Sequence, residues 1–331
     1  MKKTFTMMLG FTMAEILLSL TIIGVVAAIT LPSLTGNINE RTWNTQRKAL
    51  YARFSQAIAL MPSLNGYGTL KEESSAGAGD GVDNAAETFI SGGLSKVLKI
   101  NNICDNDHLE DCGIVSQFTN LNGSQKTIPL TLSELHSTLT SRSAFTISGR
   151  SYPAFSQPDV KAAAFETANG ESIALYYNPT CVPDLAETGT NMVMQRKMCV
   201  NLIYDLNGNK GPNTVGKDMG VMAVFYPSDS LVVTATPSVQ DAVSGTVTDS
   251  EASKACNAMS EDYRLPNREE LVTIYINTNL FGRTDGRYWS STRTAPHGYA
   301  VQWHVGLDTG ILGWDPSGNG KQCNVLCVKR N

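Results

Sequence analysis

The stretch Gly10–Leu34, GFTMAEILLSLTIIGVVAAITLPSL, constrains this chain more than any other. It is an almost unbroken apolar run of about twenty residues, enough as a helix to cross a hydrocarbon core roughly 30 Å thick. One carboxylate, Glu15, sits inside it, and Met1, Lys2 and Lys3 stand ahead of it. The lysines mark that end as the cytoplasmic side, so everything after the run is expected outside the membrane. A cleaved secretory signal and a simple anchor are the plain alternatives. A secretory signal ends in small residues, whereas Leu31-Pro32-Ser33-Leu34 follows this run. A simple anchor has no use for Glu15, because a carboxylate inside a membrane segment is costly and marks function.

These residues resemble the class III signal of type IV prepilins. That family is cut after a glycine ahead of the apolar run, here Gly10, which leaves Phe11 as the new N-terminus. Glu15 then occupies the fifth mature position, and Gly24 and Pro32 match the family's helix glycine and kink proline. The resemblance implies a leader peptide over 1–10 and an N-terminal pilin helix over 11–61, with 11–34 as the membrane and filament-core half. It also implies processing and N-methylation by a prepilin peptidase, residence in the inner membrane, and then an extracellular pilus at the cell surface. The implied partners are other pilin subunits and the inner-membrane assembly machinery. A buried Glu15 needs a cation. The resemblance supplies the α-amino group of Phe11 on a neighbouring subunit, mostly protonated at neutral pH. A pair within one chain, one helical turn apart, is the alternative.

At 331 residues with 42% hydrophobic content, the chain is long enough for two packed domains. A net charge of −4 argues against a general nucleic-acid surface. No G-x-S-x-G, H-E-x-x-H or Walker sequence occurs, and His108, His136, His297 and His304 have no ligand spacing. The chain is therefore not expected to be an enzyme. Its seven cysteines form no C-x-x-C pair, and export implies an oxidising compartment, so disulfides are expected rather than zinc ligands. Proximity pairs Cys104 with Cys112 and Cys181 with Cys199. Cys256–Cys327 would tie the last domain's start to its end, with Cys323 left over or exchanging places with Cys327.

Beyond the membrane half, Trp43, Leu50, Phe54, Ala57 and Met61 recur at helical spacing, and Pro32 is expected to bend or loosen the helix. Residues 62–82 read as a Gly/Ser-rich loop, and a helix is expected over 84–100. The acidic loop 104–112 carries Asp105, Asp107, His108, Glu110 and Asp111, a solvated disulfide loop or a cation site. From 160 to 226 the pattern turns to strands: 160–167 and 171–178 flank Asn169-Gly170, a strong hairpin signal, and 200–206 and 219–226 follow. The expected result is an antiparallel meander packed on the long helix, a pilin globular domain over 62–230.

The loop from Asp205 to Asp218 alternates oxygen donors at Asp205, Asn207 and Asn209, which suits Ca²⁺. A helix–loop–helix calcium site is excluded, because Lys210 stands where its glycine belongs and no closing glutamate occurs. The loop resembles the β-loops of pilins and secretion pseudopilins, some of which bind calcium. Two readings stand: a calcium site of Asp205, Asn207, Asn209 and Asp218, or a turn-rich structural loop.

Residues 231–250 form a polar linker or a first strand. After them come a short helix over 251–259 and a second helix opened by Asn267 as N-cap with Glu270 three residues on. The set Cys256, Tyr263-Arg264-Leu265-Pro266-Asn267-Arg268-Glu269-Glu270-Leu271, Tyr288-Trp289-Ser290-Ser291, Gly306 and Cys327-Val328-Lys329-Arg330 resembles the Lcl C-terminal family. That family is a bacterial branch of the C-type-lectin-like fold, matched here over 251–331. The resemblance implies cell adhesion through a glycan or protein ligand, and Trp303, His304 and Trp314 are the candidate binding face. The alternative places Trp289 and Trp303 in the core.

The expected fold class is α+β: a long pilin helix on an antiparallel sheet, then a C-type-lectin-like domain. The expected function is a filament subunit that displays that domain. A low-copy minor pilin adhesin and a pseudopilin of a type II secretion system are the alternatives. Removing ten residues from 331 leaves 321, large for a major pilin, whereas Glu15 favours a subunit able to enter the shaft.

Overall fold

A computed structural model describes residues 13–64, 84–135, 145–147, 150–152, 161–177, 197–226, 232–235, 239–241, 245–282, 285–294, 300–308, 312–316, 318 and 320–329. The fold is α+β, with antiparallel sheets. The chain divides into two units, residues 1–46 and 47–331. Gly10 and Phe11, the expected processing site, lie outside the described residues.

One helix, α1 (Met13–Leu64), begins in the first unit and ends in the second. Its described apolar side chains from Met13 to Val26 are exposed. Hydroxyls within this run are absorbed by the helix itself: Ser19 Oγ donates to Glu15 O and Thr21 Oγ1 to Leu17 O, both at 2.7 Å. The assigned helix passes through Pro32 without a break. Side chains 27–39 are outside the description, and among the described residues no helix is long and apolar enough to cross a membrane.

In the second unit, α1 buries Leu50, Phe54, Ala57 and Met61, members of the expected stripe, together with Ile58. Arg47 is buried among them. Its Nε donates to the Tyr204 hydroxyl at 3.1 Å and its Nη2 to Lys217 O at 2.8 Å. Arg53 forms an ion pair with the buried Glu171.

The expected helix over 84–100 is corrected. α2 (Ala85–Thr88) passes into a π turn at Phe89–Gly93 and a 3₁₀ turn at Leu94–Lys96. Gly92-Gly93 removes the propensity needed for a longer helix, and Ile100 already opens a strand, β1 (Ile100–Cys104). Two ribbons follow, β2 (Gln117–Thr119) with β3 (Gln125–Thr127), then, after α3 (Leu132–Leu135), β4 (Phe145–Ile147) with β5 (Arg150–Tyr152).

The expected meander is present as β6 (Ala163–Thr167), β7 (Ser172–Tyr177), β8 (Lys197–Asp205) and β9 (Met219–Tyr226). Thr167–Glu171 closes the first hairpin, with Gly170 at φ 84°. β1 and β10 (Val232–Ala235) extend it to a six-stranded antiparallel sheet in the order β1-β6-β7-β8-β9-β10. β10 thus pairs with the first sheet rather than opening the last one. Tyr204 faces Gly220 across β8 and β9. A Cβ at 220 would run into the phenol ring, so the close approach requires glycine there.

β11 (Val239–Asp241) pairs with the C-terminal strand β16 (Leu326–Lys329), which also takes β12 (Tyr263–Arg264). α4 (Asp249–Met259) starts at a Thr248/Glu251 capping box, and α5 (Arg268–Ile276) at the expected Asn267/Glu270 box. After α6 (Thr278–Phe281), β13 (Arg287–Thr294), β14 (Val301–Gly306) and β15 (Leu312–Pro316) form a three-stranded sheet. Trp289, Leu265, Val325, Ala252 and the Cys256–Cys327 disulfide make the lobe's own core. Every residue of α5 is buried, because the helix packs on β13 and β14 and also on β9 and β10. At its C-cap, Asn277 and Asn201 of β8 exchange amide hydrogen bonds at 2.8 and 3.1 Å.

Candidate functional site

The loop between β8 and β9 holds three solvent-shielded side-chain oxygens without a hydrogen-bond donor: Asp205 Oδ2, Asn207 Oδ1 and Asn213 Oδ1. Each is placed by a local rule. Asp205 ends β8, and its other oxygen accepts from Asn207 N at 3.1 Å, an Asx turn. Asn207 is held by donating its Nδ2 to Gly211 O at 3.2 Å. Asn213 follows Pro212 and adopts a left-handed φ of 48°, a conformation asparagine tolerates better than most residues.

Asp218 locks the return of the loop. It is fully buried and accepts from Asn213 N at 2.9 Å and Thr214 N at 2.8 Å. Burial pushes the Asp205 carboxyl up to about 7; the Asn207 amide opposes this and the Asp218 charge adds to it. Shielded oxygens left without donors are uncommon because each costs desolvation free energy. Carboxylate and amide oxygens shielded within one loop and left without donors are the ligand chemistry of a hard divalent cation.

Of the four oxygens read from the sequence, Asp205 and Asn207 belong to this cluster. Asp218 stands beside it with both oxygens engaged by amides, and Asn209 is exposed. Asn213 was missed. The signal for it is the Gly211-Pro212-Asn213 turn, which folds the loop back on itself. Among the described residues no group of three or more His, Cys, Asp or Glu side chains converges on a common point; this cluster depends on asparagine.

The acidic loop 104–112 is a 3₁₀ turn closed by the Cys104–Cys112 disulfide, with exposed His108 pairing Asp105 at 2.8 Å. That hydrogen bond raises His108 and lowers Asp105 from their ordinary values. Cys199 is disulfide-bonded; its expected partner Cys181 lies outside the described residues. Cys323 is a buried free thiol, pushed up to about 11 by burial.

The expected binding face of the last domain is distributed differently. Trp303 and His304 are successive residues of β14 and point to opposite faces, as strand geometry demands. Trp303 is fully buried, with the Arg268 guanidinium 5.0 Å over its ring. His304 lies opposite Trp289 and Gly313, where a Cβ would strike its ring. Trp314, opposite Trp303, is half-buried. Neither Trp303 nor His304 offers a ring to a sugar, so only Trp314 keeps part of the stacking surface that was expected. His136 and His297 lie outside the described residues. Comparison of the chain with protein-family models and with curated proteins finds no match.

Proposed function

We propose that this chain is a type IV pilin-like subunit that enters an extracellular filament through α1 and carries a lectin-like lobe on the filament surface. The observation that carries the reading is α1. Its first part exposes an apolar run broken by one carboxylate, Glu15, and its second part buries Leu50, Phe54, Ile58 and Met61 in a globular unit. Exposed apolar surface of that extent marks a membrane or protein-packing face. The order of elements, a long helix followed by an antiparallel meander, supports the same reading. The lobe's disulfide joins Cys256 to Cys327 near its two ends, and its capping box falls at Asn267, the positions on which the lectin-like resemblance was read.

Sheared filaments analysed by mass spectrometry test this. A chain beginning at Phe11 is expected in the filament fraction, and its abundance against other pilins separates a major subunit from a minor adhesin. Retention in the membrane with none in filaments would instead favour the pseudopilin reading. Glu15→Ala is expected to insert into the membrane normally and to be lost from filaments; normal amounts there would sink the assembly role.

The donor-free oxygens of Asp205, Asn207 and Asn213 favour a second element of the reading, a structural divalent cation such as Ca²⁺ in the β8–β9 loop. A bound cation stabilises the state that holds it in proportion to its occupancy. Calcium is therefore expected to raise the unfolding temperature and a chelator to reverse the rise. A temperature that ignores both counts against the cation.

A further inference from the structure

Residues 119–122 are gripped from two sides. Thr119 N donates to Asn213 O and Thr119 O accepts from Val215 N, each at 2.9 Å, which forms a short parallel bridge between Thr119 and Thr214. One residue on, the buried Asn120 donates its Nδ2 to Asn279 O at 3.3 Å. Leu121 N donates to Leu280 O at 2.9 Å. Asn122 lies so close to Gly282 that a Cβ there would collide with its amide. A four-residue segment thus ties the oxygen-lined loop to α6 in the C-terminal lobe. The far half of the loop is held to α1 by Arg47, through the carbonyls of Gly216 and Lys217.

We propose that a divalent cation held by Asp205, Asn207 and Asn213 is a clamp whose occupancy sets how firmly residues 119–122, and α6 behind them, are seated. The proposal rests on the cation reading of the loop. Asn213 couples the two, because one residue supplies both a donor-free Oδ1 in the loop and the carbonyl that receives Thr119. With a cation present, the three oxygens gain their counter-charge and the left-handed turn at Asn213 is fixed. With none, the shielded oxygens stay without donors, and opening the loop recovers their hydration. Such an opening releases the Thr119 bonds first, and the amides that follow in the chain lose their anchor.

Amide hydrogen exchange on the full chain in detergent micelles, with calcium alone or with a chelator, tests the clamp. Protection at 119–122 and 277–282 is expected to rise about tenfold or more with calcium, while the central strand residues 173–176 stay unchanged. Calorimetry on the same sample reports calcium binding directly. Binding without a response at 119–122 and 277–282 overturns the clamp and leaves the cation reading standing; no binding overturns both. Asp205→Asn is expected to lose binding and response together. Should that variant fail to fold, Asn120→Ala decides. It should bind calcium with unchanged affinity and respond at the loop, with a weakened response at 277–282. A full response there would overturn the proposed route.

Discussion

His304 and Asp315 meet across β14 and β15 with Nδ1 and Oδ2 3.2 Å apart, and neither atom has a well-formed hydrogen bond. Lys321 Nζ holds the other Asp315 oxygen at 2.9 Å. Burial lowers His304 to about 4; Asp315 opposes the shift, and Lys321 and Arg287 add to it. Between about 4 and the ordinary histidine value the unfolded chain binds the proton and the folded chain does not, so stability falls as pH drops through that window. Each pH unit there is worth at most about 1.4 kcal/mol. His304 therefore contributes a loss of stability on acidification, opposite in sign to the gain from the raised Asp205 carboxyl. His304→Gln should remove that loss, shifting the slope of unfolding temperature against pH toward greater acid tolerance. An unaltered slope in the variant would assign the acid sensitivity elsewhere. Gly220 gives a second residue-scale expectation. Gly220→Ala drives a methyl into Tyr204 and should cost about 1–3 kcal/mol in denaturant unfolding.

Among the elements, the stripe Leu50, Phe54, Ala57 and Met61 was legible because its burial repeats at helical spacing. The strands β6 to β9 were legible for another reason: each is a short, nearly continuous apolar run bounded by turn residues, and Ser172–Tyr177 is buried along its whole length. The capping box at Asn267 was equally legible, since its hydrogen bonds are local. The sheet that β10 would join was not, and β11 was not read as a strand at all. A short strand carries no mark of which sheet will take it, and Val232–Ala235 joined the first sheet while Val239–Asp241 joined the last. Arg47 escaped for a related reason. The partners that make its burial affordable, Tyr204 and the Gly216 and Lys217 carbonyls, lie more than 150 residues along the chain. Arg47→Met keeps the helix and its apolar stem but leaves those groups without a charged donor. A loss of about 2–3 kcal/mol is expected, with far-ultraviolet helicity unchanged in the folded state.

At the scale of the molecule, the C-terminal lobe is wired into the sheet rather than hung from a linker. α5, the helix on which the lectin-like resemblance was read, is buried along its whole length because β9 and β10 cover what β13 and β14 do not. Removing the sheet would expose apolar residues of α5 and leave Asn277 without Asn201. It would also strip β16 of β11, its partner strand from outside the 245–331 segment. Compact domains that fold alone have few contacts crossing their boundary, and this boundary is crossed by a helix, a strand pair and an amide pair. Residues 245–331 expressed alone are therefore expected to show no cooperative thermal transition and rapid proteolysis, despite an intact Cys256–Cys327 disulfide. In the full chain the strand residues 232–235 and 239–241 should resist cleavage. A cooperative transition in the fragment would mean that the lobe is an independent module and that its seat on β9 and β10 adds position rather than stability. In the expected case, the lobe keeps a fixed orientation to the six-stranded sheet, because α5 packs on the strands of both.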